Sequence, residues 1–143
     1  MANSFIKYPA DMNAENSPEL NIIEYCHDLI MWLKDDYIEN CIKELSRRGV
    51  GESQIDSQIL KMKNKIEFEY IIESGRKYHK IIEISYSNRS VHCFVDMKTG
   101  DVYKAASWKS PASRPRFNLL SENDREWLRY HADYAGRYLY LRL

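Results

Sequence analysis

The apolar residues of this chain change their period once, and that change constrains the fold more than any other feature. Between residues 20 and 45 they recur at Leu20, Ile23, Leu29, Ile30, Leu33, Tyr37, Ile38, Cys41, Ile42 and Leu45, mostly three or four apart. That is the spacing of one helical face. From Ile66 the period becomes two: Ile66, Phe68, Tyr70 and Ile72 alternate with Glu67, Glu69, Ile71 and Glu73, the pattern of a strand with one wet face. The expected class is therefore α+β. It comprises a long N-terminal helix (or a helix pair broken near Asp35-Asp36), a four-stranded antiparallel meander, a short C-terminal helix and a final strand.

Local signals set the boundaries. Ser17-Pro18-Glu19 reads as a helix start, with a side-chain cap, a proline in the first turn and an acid beside the helix dipole. Arg47, Arg48 and Gly49 read as its end. Trp32 and Met31 widen the apolar face enough for a sheet or a second chain. Residues 1–16 lack periodicity and predict a flexible arm before a single domain over 17–143. Residues 50–63 allow a short helix. Turns at Ser74-Gly75, at residues 87–90 and at Met97-Lys98-Thr99-Gly100 divide the alternating region into four strands, with Ile82, Ile84 and Tyr86 sharing a face. Pro111 and Pro115 make residues 107–120 a loop with a stiff backbone. Ser121 and Asp124 approximate a capping box for a helix to about His131. Gly136 ends it, and residues 137–143 read as the last strand.

A chain of 143 residues can build a core without metal or disulfide staples. Three widely spaced cysteines, Cys26, Cys41 and Cys93, suit buried thiols in a reducing compartment. There is no apolar leader and no run long enough to span a membrane, so the expected location is the cytoplasm. Net charge is zero but unevenly spread. Residues 74–118 hold nine bases against three acids, and the remainder holds twelve bases against eighteen acids. Such a chain can set a basic face against phosphates without a basic overall composition.

Catalytic motifs are weak. His27, His79, His92 and His131 lack metal-ligand spacing, so neither a metal nor another cofactor is expected. His92 and Cys93 are neighbours in a strand and should point to opposite faces, which excludes a Cys–His dyad. No phosphate-binding glycine loop or nucleophile elbow occurs. Glu83 with Asp96-x-Lys98 offers one arrangement resembling a metal-dependent nuclease. Binding is favoured over catalysis.

The densest chemistry follows the meander. Trp108, Lys109, Arg114, Arg116 and Phe117 fall within ten positions, pairing stacking faces with phosphate-seeking charge. Tyr78, Tyr86, Phe94 and Tyr103 would extend that platform across the sheet. The candidate ligand-binding set is Trp108, Lys109, Arg114, Arg116, Phe94, Tyr103, Lys104 and Asn118.

The segment VHCFVDMKTGDVYKAASWKSPASRPRFNLL resembles a motif of small proteins of tailed bacteriophages and some other viruses, close to F-V-D-x-x-T-G-D-(I/V)-x-K-x-A-S-W-K-x-P-A. The likeness is carried by Phe94, Val95, Asp96, Thr99, Gly100, Asp101, Val102, Lys104, Ala106, Ser107, Trp108, Lys109, Pro111, Ala112 and Asn118. It implies a viral origin and a place in the host cytoplasm, and no chemistry. The element order is also similar to α-β-β-β-α double-stranded-RNA-binding domains, but Glu122, Asp124 and Glu126 stand where that family carries lysines. In the motif, Asp96 and Asp101 flank the hairpin turn and are expected to bond its free amides. The expected function is a phage-encoded binder of an anionic ligand, nucleic acid or nucleotide. A module that oligomerises through the helix at 20–45 is the alternative.

Overall fold

A computed structural model describes residues 17–64 and 68–140; the arm expected over 1–16 lies outside them. The apolar stripe forms one unbroken helix, α1 (Pro18–Arg47), so the break near Asp35-Asp36 does not occur. Asp36 instead reaches the far end of the chain, its carboxylate accepting from the Tyr134 N–H at 3.0 Å. Ser17 occupies the N-cap position but its side chain makes no capping hydrogen bond. The start rests on Pro18, whose missing N–H costs nothing in the first turn, and on Glu19 beside the helix dipole. At the other end Gly49 takes φ +82°, and Arg47 and Arg48 close on Glu44 at 2.6 and 3.1 Å. The ambiguous segment that follows is a second helix, α2 (Glu52–Asn64), packed on α1.

Five strands follow, β1 (Phe68–Ser74), β2 (Tyr78–Ser85), β3 (Asn88–Asp96), β4 (Asp101–Ala105) and β5 (Pro111–Asn118). They form one antiparallel sheet whose spatial order is the chain order. The meander is thus one strand larger than expected, because residues 111–118 are not a loop. Proline is excluded from central strands by its missing N–H, but β5 lies at the sheet edge, where that donor is not needed. Its register with β4 shifts at Val102/Tyr103 and again at Tyr103/Ala105.

The C-terminal region departs from expectation too. After α3 (Glu122–His131) the chain makes a 3-10 turn at Arg137–Leu139 where the start of a strand over 137–143 is expected; residues 141–143 lie outside the described ones. The Asp133 carboxylate accepts from the Arg137 and Tyr138 amides at 3.1 and 3.2 Å, and Gly136 takes φ +79°. That local bonding holds the backbone in a turn. At the start of α3 the Ser121 hydroxyl accepts from the Asp124 N–H at 3.2 Å. Asp124 does not reciprocate; its carboxylate takes the Asn118 N–H at 2.7 Å, so half of the capping box forms.

The core lies between α1 and one face of the sheet. Ile22, Cys26, Leu29, Ile30 and Leu33 meet Tyr70, Ile81, Cys93, Val95 and Val102, closed at the end by Leu119, Leu128, Tyr138 and Leu139. Each fully buried aliphatic side chain contributes about 1.5–3 kcal/mol. The stripe that looked wide enough for a second chain is mostly occupied by its own sheet, with Trp32 packed at the margin and Leu20, Met31 and Ile42 left exposed.

One irregularity re-aims a side chain. In the β2–β3 ladder Ile81 faces Cys93 but Ile82 faces Val91, so His92 is an extra residue. His92 and Cys93 therefore both lie on the helix side: Cys93 in the core, His92 against the Tyr70 and Tyr138 rings. The strict alternation that separated them fails at this bulge. A Cys–His dyad is still disfavoured, for another reason. Burial pushes the Cys93 thiol well up and holds the His92 imidazole down at about 4. A thiolate–imidazolium pair needs the opposite shifts. Tyr86 also leaves its expected place on the sheet face: with Ser87 it forms the β2–β3 turn, at φ 48° and 77°.

Candidate nucleic-acid interface

The sheet face turned away from α1 carries the aromatic and basic residues. Ladder register sets Lys80 of β2 opposite Phe94 of β3, and Phe94 opposite Tyr103 of β4. Tyr78 stands edge-on to both Phe94 and Tyr103, with ring centroids 5.7 and 5.9 Å away. Phe94 and Ile82 are buried here, a second and smaller apolar patch.

The tip of the β4–β5 hairpin folds over this patch. Its amides are tied down locally: Ala106 and Ser107 N–H donate to the Ser110 carbonyl at 2.9 and 3.1 Å. The Ser107 hydroxyl accepts from the Lys109 and Ser110 amides at 3.3 and 3.1 Å. This fixed turn carries Trp108 over the face. The Lys80 ammonium lies 4.7 Å from the Trp108 ring centre and 5.7 Å from that of Phe94, and the Arg89 guanidinium is 5.9 Å from Trp108. Trp108 remains 41% exposed, so the ring covers the patch and also offers surface to solvent.

Beside it is a cavity of about 260 Å³, walled by Arg76, Lys77, Lys80, Lys109, Phe94 and Glu73 among others. Four bases thus converge around one carboxylate. Glu73 reaches both Lys80 and Arg89, each at 3.9 Å, and is itself half exposed. Contacts this long in water contribute little, so Glu73 neutralises these bases only weakly.

The expected site residues divide. Phe94, Tyr103, Trp108 and Lys109 come together on this face. Arg114 is exposed on the edge strand, its carbonyl accepting from Arg116. Arg116 is a structural residue, its Nε donating to the Leu139 carbonyl at 2.7 Å. Phe117 stacks on Trp127 at 5.1 Å. Lys104 is on the helix side of the sheet, over the Tyr140 ring at 4.7 Å. Asn118 is consumed by the hairpin: its Nδ2 donates to the Thr99 carbonyl at 2.8 Å and to Asp101 Oδ1 at 2.9 Å, and its Oδ1 accepts from the Leu120 N–H at 2.8 Å. Asp101 therefore serves Asn118, not the turn. Asp96 alone bonds the turn, Oδ1 accepting from the Lys98 and Thr99 amides at 2.8 and 3.0 Å. Lys77, Lys80, Arg76 and Arg89 belong to the site although the loop-centred reading omitted them. Only Lys80 had a local signal, the two-residue step from Tyr78 that puts both on one face; Arg89 arrives there through its pairing with Ile84.

The nuclease arrangement does not assemble. Asp96 pairs with Tyr78 and Glu83 lies five residues further along β2, a separation of roughly 16 Å at strand spacing. Among the described residues no three His, Cys, Asp or Glu side chains are placed to hold a metal ion, and no helix is long and apolar enough to cross a membrane.

The chain belongs to a family of unknown function, DUF7717, whose model matches residues 5–141. No curated protein and no solved structure matches it.

Proposed function

We propose that this family member is a small binding protein for an anionic ligand, with single-stranded nucleic acid favoured over a free nucleotide. The observation that carries the proposal is the Lys80–Trp108 stack. A half-exposed indole is held by an ordered turn over a basic sheet face, with Tyr103 alongside and Phe94 buried beneath. Single strands are bound by this pairing of stacking rings with backbone-tracking charge, and sequence matters little because every base has a π-face. The cavity among Arg76, Lys77, Lys80 and Lys109 would take a phosphate, and the Trp108 ring a neighbouring base. The likeness of residues 94–118 to small phage proteins supports a viral origin and action in the host cytoplasm.

Fluorescence anisotropy with a labelled oligonucleotide of about twelve nucleotides, long enough for one site of this size, tests the reading. Expected are binding that weakens steeply with salt and a loss of at least about tenfold for Trp108→Ala. No binding at low salt, or binding indifferent to Trp108, overturns it. Tight binding of a mononucleotide with a shallow salt slope would select the nucleotide instead. Light scattering on the same sample reads the alternative assembly through α1, whose exposed apolar residues are Leu20, Met31 and Ile42.

A further inference from the structure

The helix side of the sheet holds a second pocket, of about 310 Å³, between strands β2, β3 and β4 and the segment that runs from Tyr134 to Tyr140. Glu83 enters from β2 and Lys104 from β4. These opposite charges share one cavity without meeting: among the described residues neither lies within 4.0 Å of an oppositely charged partner. Lys104 faces Cys93, which faces Ile81, two residues before Glu83 on β2, so two strand spacings and two residues separate the charges, roughly 12 Å between Cα atoms. Lys104 is steadied by the Tyr140 ring and by the Ala105 carbonyl at 3.4 Å. Glu83 is not neutralised; burial pushes its carboxyl up, with the Tyr70 hydroxyl beside it acting the other way. Glu83 and Lys104 are each partly buried; a charge partly withdrawn from water without a partner is costly, and a ligand that supplies one recovers part of that cost.

The wall between the two charges is polar. The β3 bulge turns His92 into the pocket, and bulges are commonly used to aim a side chain at a site. Burial pushes the Tyr138 hydroxyl well up, so it keeps its proton, and it is hydrogen-bonded to His92 Nε2 at 2.7 Å. Tyr134, Leu139 and Tyr140 supply the apolar remainder of the lining.

We infer that this pocket binds a small zwitterion, a free amino acid with a large apolar or aromatic side chain. Its ammonium would sit on Glu83, its carboxylate on Lys104, and its side chain against Tyr134 and Tyr140. The volume lies at the small end of ligand sites, as such a molecule requires. The site is on the opposite side of the sheet from Trp108 and does not depend on the nucleic-acid reading.

Calorimetric titration of the full chain with L-phenylalanine, L-tyrosine and L-leucine tests the inference. The controls are 3-phenylpropionate, which lacks the amine, and phenylalanine amide, which lacks the carboxylate. The zwitterion is expected to bind at least about tenfold more tightly than either control, roughly 1.4 kcal/mol. Glu83→Gln should abolish the preference over 3-phenylpropionate, and Lys104→Met the preference over the amide, each with an unchanged circular dichroism spectrum. If a variant fails to fold, the control series on the unaltered protein decides alone. No heat from any amino acid at millimolar concentration, or controls that bind as well as the zwitterion, overturns the inference.

Discussion

His92 Nε2 and the Tyr138 hydroxyl meet at 2.7 Å across 46 positions of sequence, joining the β3 bulge to the 3-10 turn that closes the core. Burial, more than the bond itself, favours a neutral imidazole here. Burial pushes His92 down to about 4, although the Asp133 carboxylate works against that. Unfolding releases an imidazole that protonates near 6.5, so between those values the unfolded chain binds more protons. Stability from this group is complete above about pH 6.5 and is lost as the pH falls toward 4. Buried His79, bonded to Ser74 at 2.7 Å and also pushed down by burial, acts in the same sense.

Urea unfolding at pH 7 and pH 4.5 should therefore differ by about 2–3 kcal/mol, the larger value at pH 7. His92→Gln, which cannot titrate, should narrow the gap. Asp96 will not obscure this window. Burial raises its carboxyl, but the Thr99 and Lys98 amides outweigh that and leave it below the ordinary value. Its contribution is lost only at lower pH. Glu83, whose carboxyl burial pushes up, works in the opposite sense across this window, so the comparison decides: a gap that His92→Gln leaves unchanged would contradict the assignment of His92.

Glu73 is the carboxylate that the proposed ligand must displace. It sits 3.9 Å from both Lys80 and Arg89. Glu73→Gln should tighten oligonucleotide binding by about threefold to tenfold at low salt, an advantage that shrinks as salt screens both contacts. Lys80→Met should weaken binding and reduce the salt slope. Weaker binding by Glu73→Gln would mean that the ligand does not use this cavity.

The thiols provide an independent check on the core. Cys26 and Cys93 are buried, and burial pushes Cys26 up to about 12. Cys41, half-buried on α1, is the accessible one. A thiol reagent added to the native protein should modify Cys41 first and reach the other two only as fast as the core opens. Three equal rates would place α1 differently on the sheet.

Where sequence reasoning succeeded, a residue's environment followed from its spacing; where it failed, tertiary partners decided. Steps of three and four from Leu20 to Leu45 required a helix, and the alternation at Phe68, Tyr70 and Ile72 required a strand. Pro111 and Pro115 argued against β5 because only its place in the sheet, the edge, makes them acceptable. Nothing in the step from His92 to Cys93 announces a bulge, because the extra residue exists only relative to β2. Arg116 and Asn118 looked like ligand residues by type and position. Their partners, the Leu139 carbonyl and the Thr99–Asp101 turn, lie on other elements, and residue type alone cannot reveal that the bonds are already made. Phe94, Tyr103, Trp108 and Lys109 were legible because strand alternation and a short ordered turn carry them to one face. Lys80 and Arg89 complete that face through cross-strand register, which local sequence does not print.

Asn118 separates folding from binding. It makes three hydrogen bonds, to the Thr99 carbonyl, the Asp101 carboxylate and the Leu120 amide. It lies against the turn where Gly100 takes φ +79°, a conformation strained for any side chain, and an added Cβ would crowd Leu120 Cγ at 3.1 Å. Asn118→Ala removes all three bonds and leaves the Asp101 carboxylate without its amide, a loss of about 1–3 kcal/mol. Chemical denaturation should show that loss, while the folded fraction should bind oligonucleotide as the unaltered protein does. Trp108→Ala should show the reverse, with weakened binding and a smaller stability change, since the indole is 41% exposed and its turn is held by Ser107 and Ser110. If instead Asn118→Ala weakened binding at unchanged stability, the site would lie at the hairpin turn and not on the sheet face beneath Trp108.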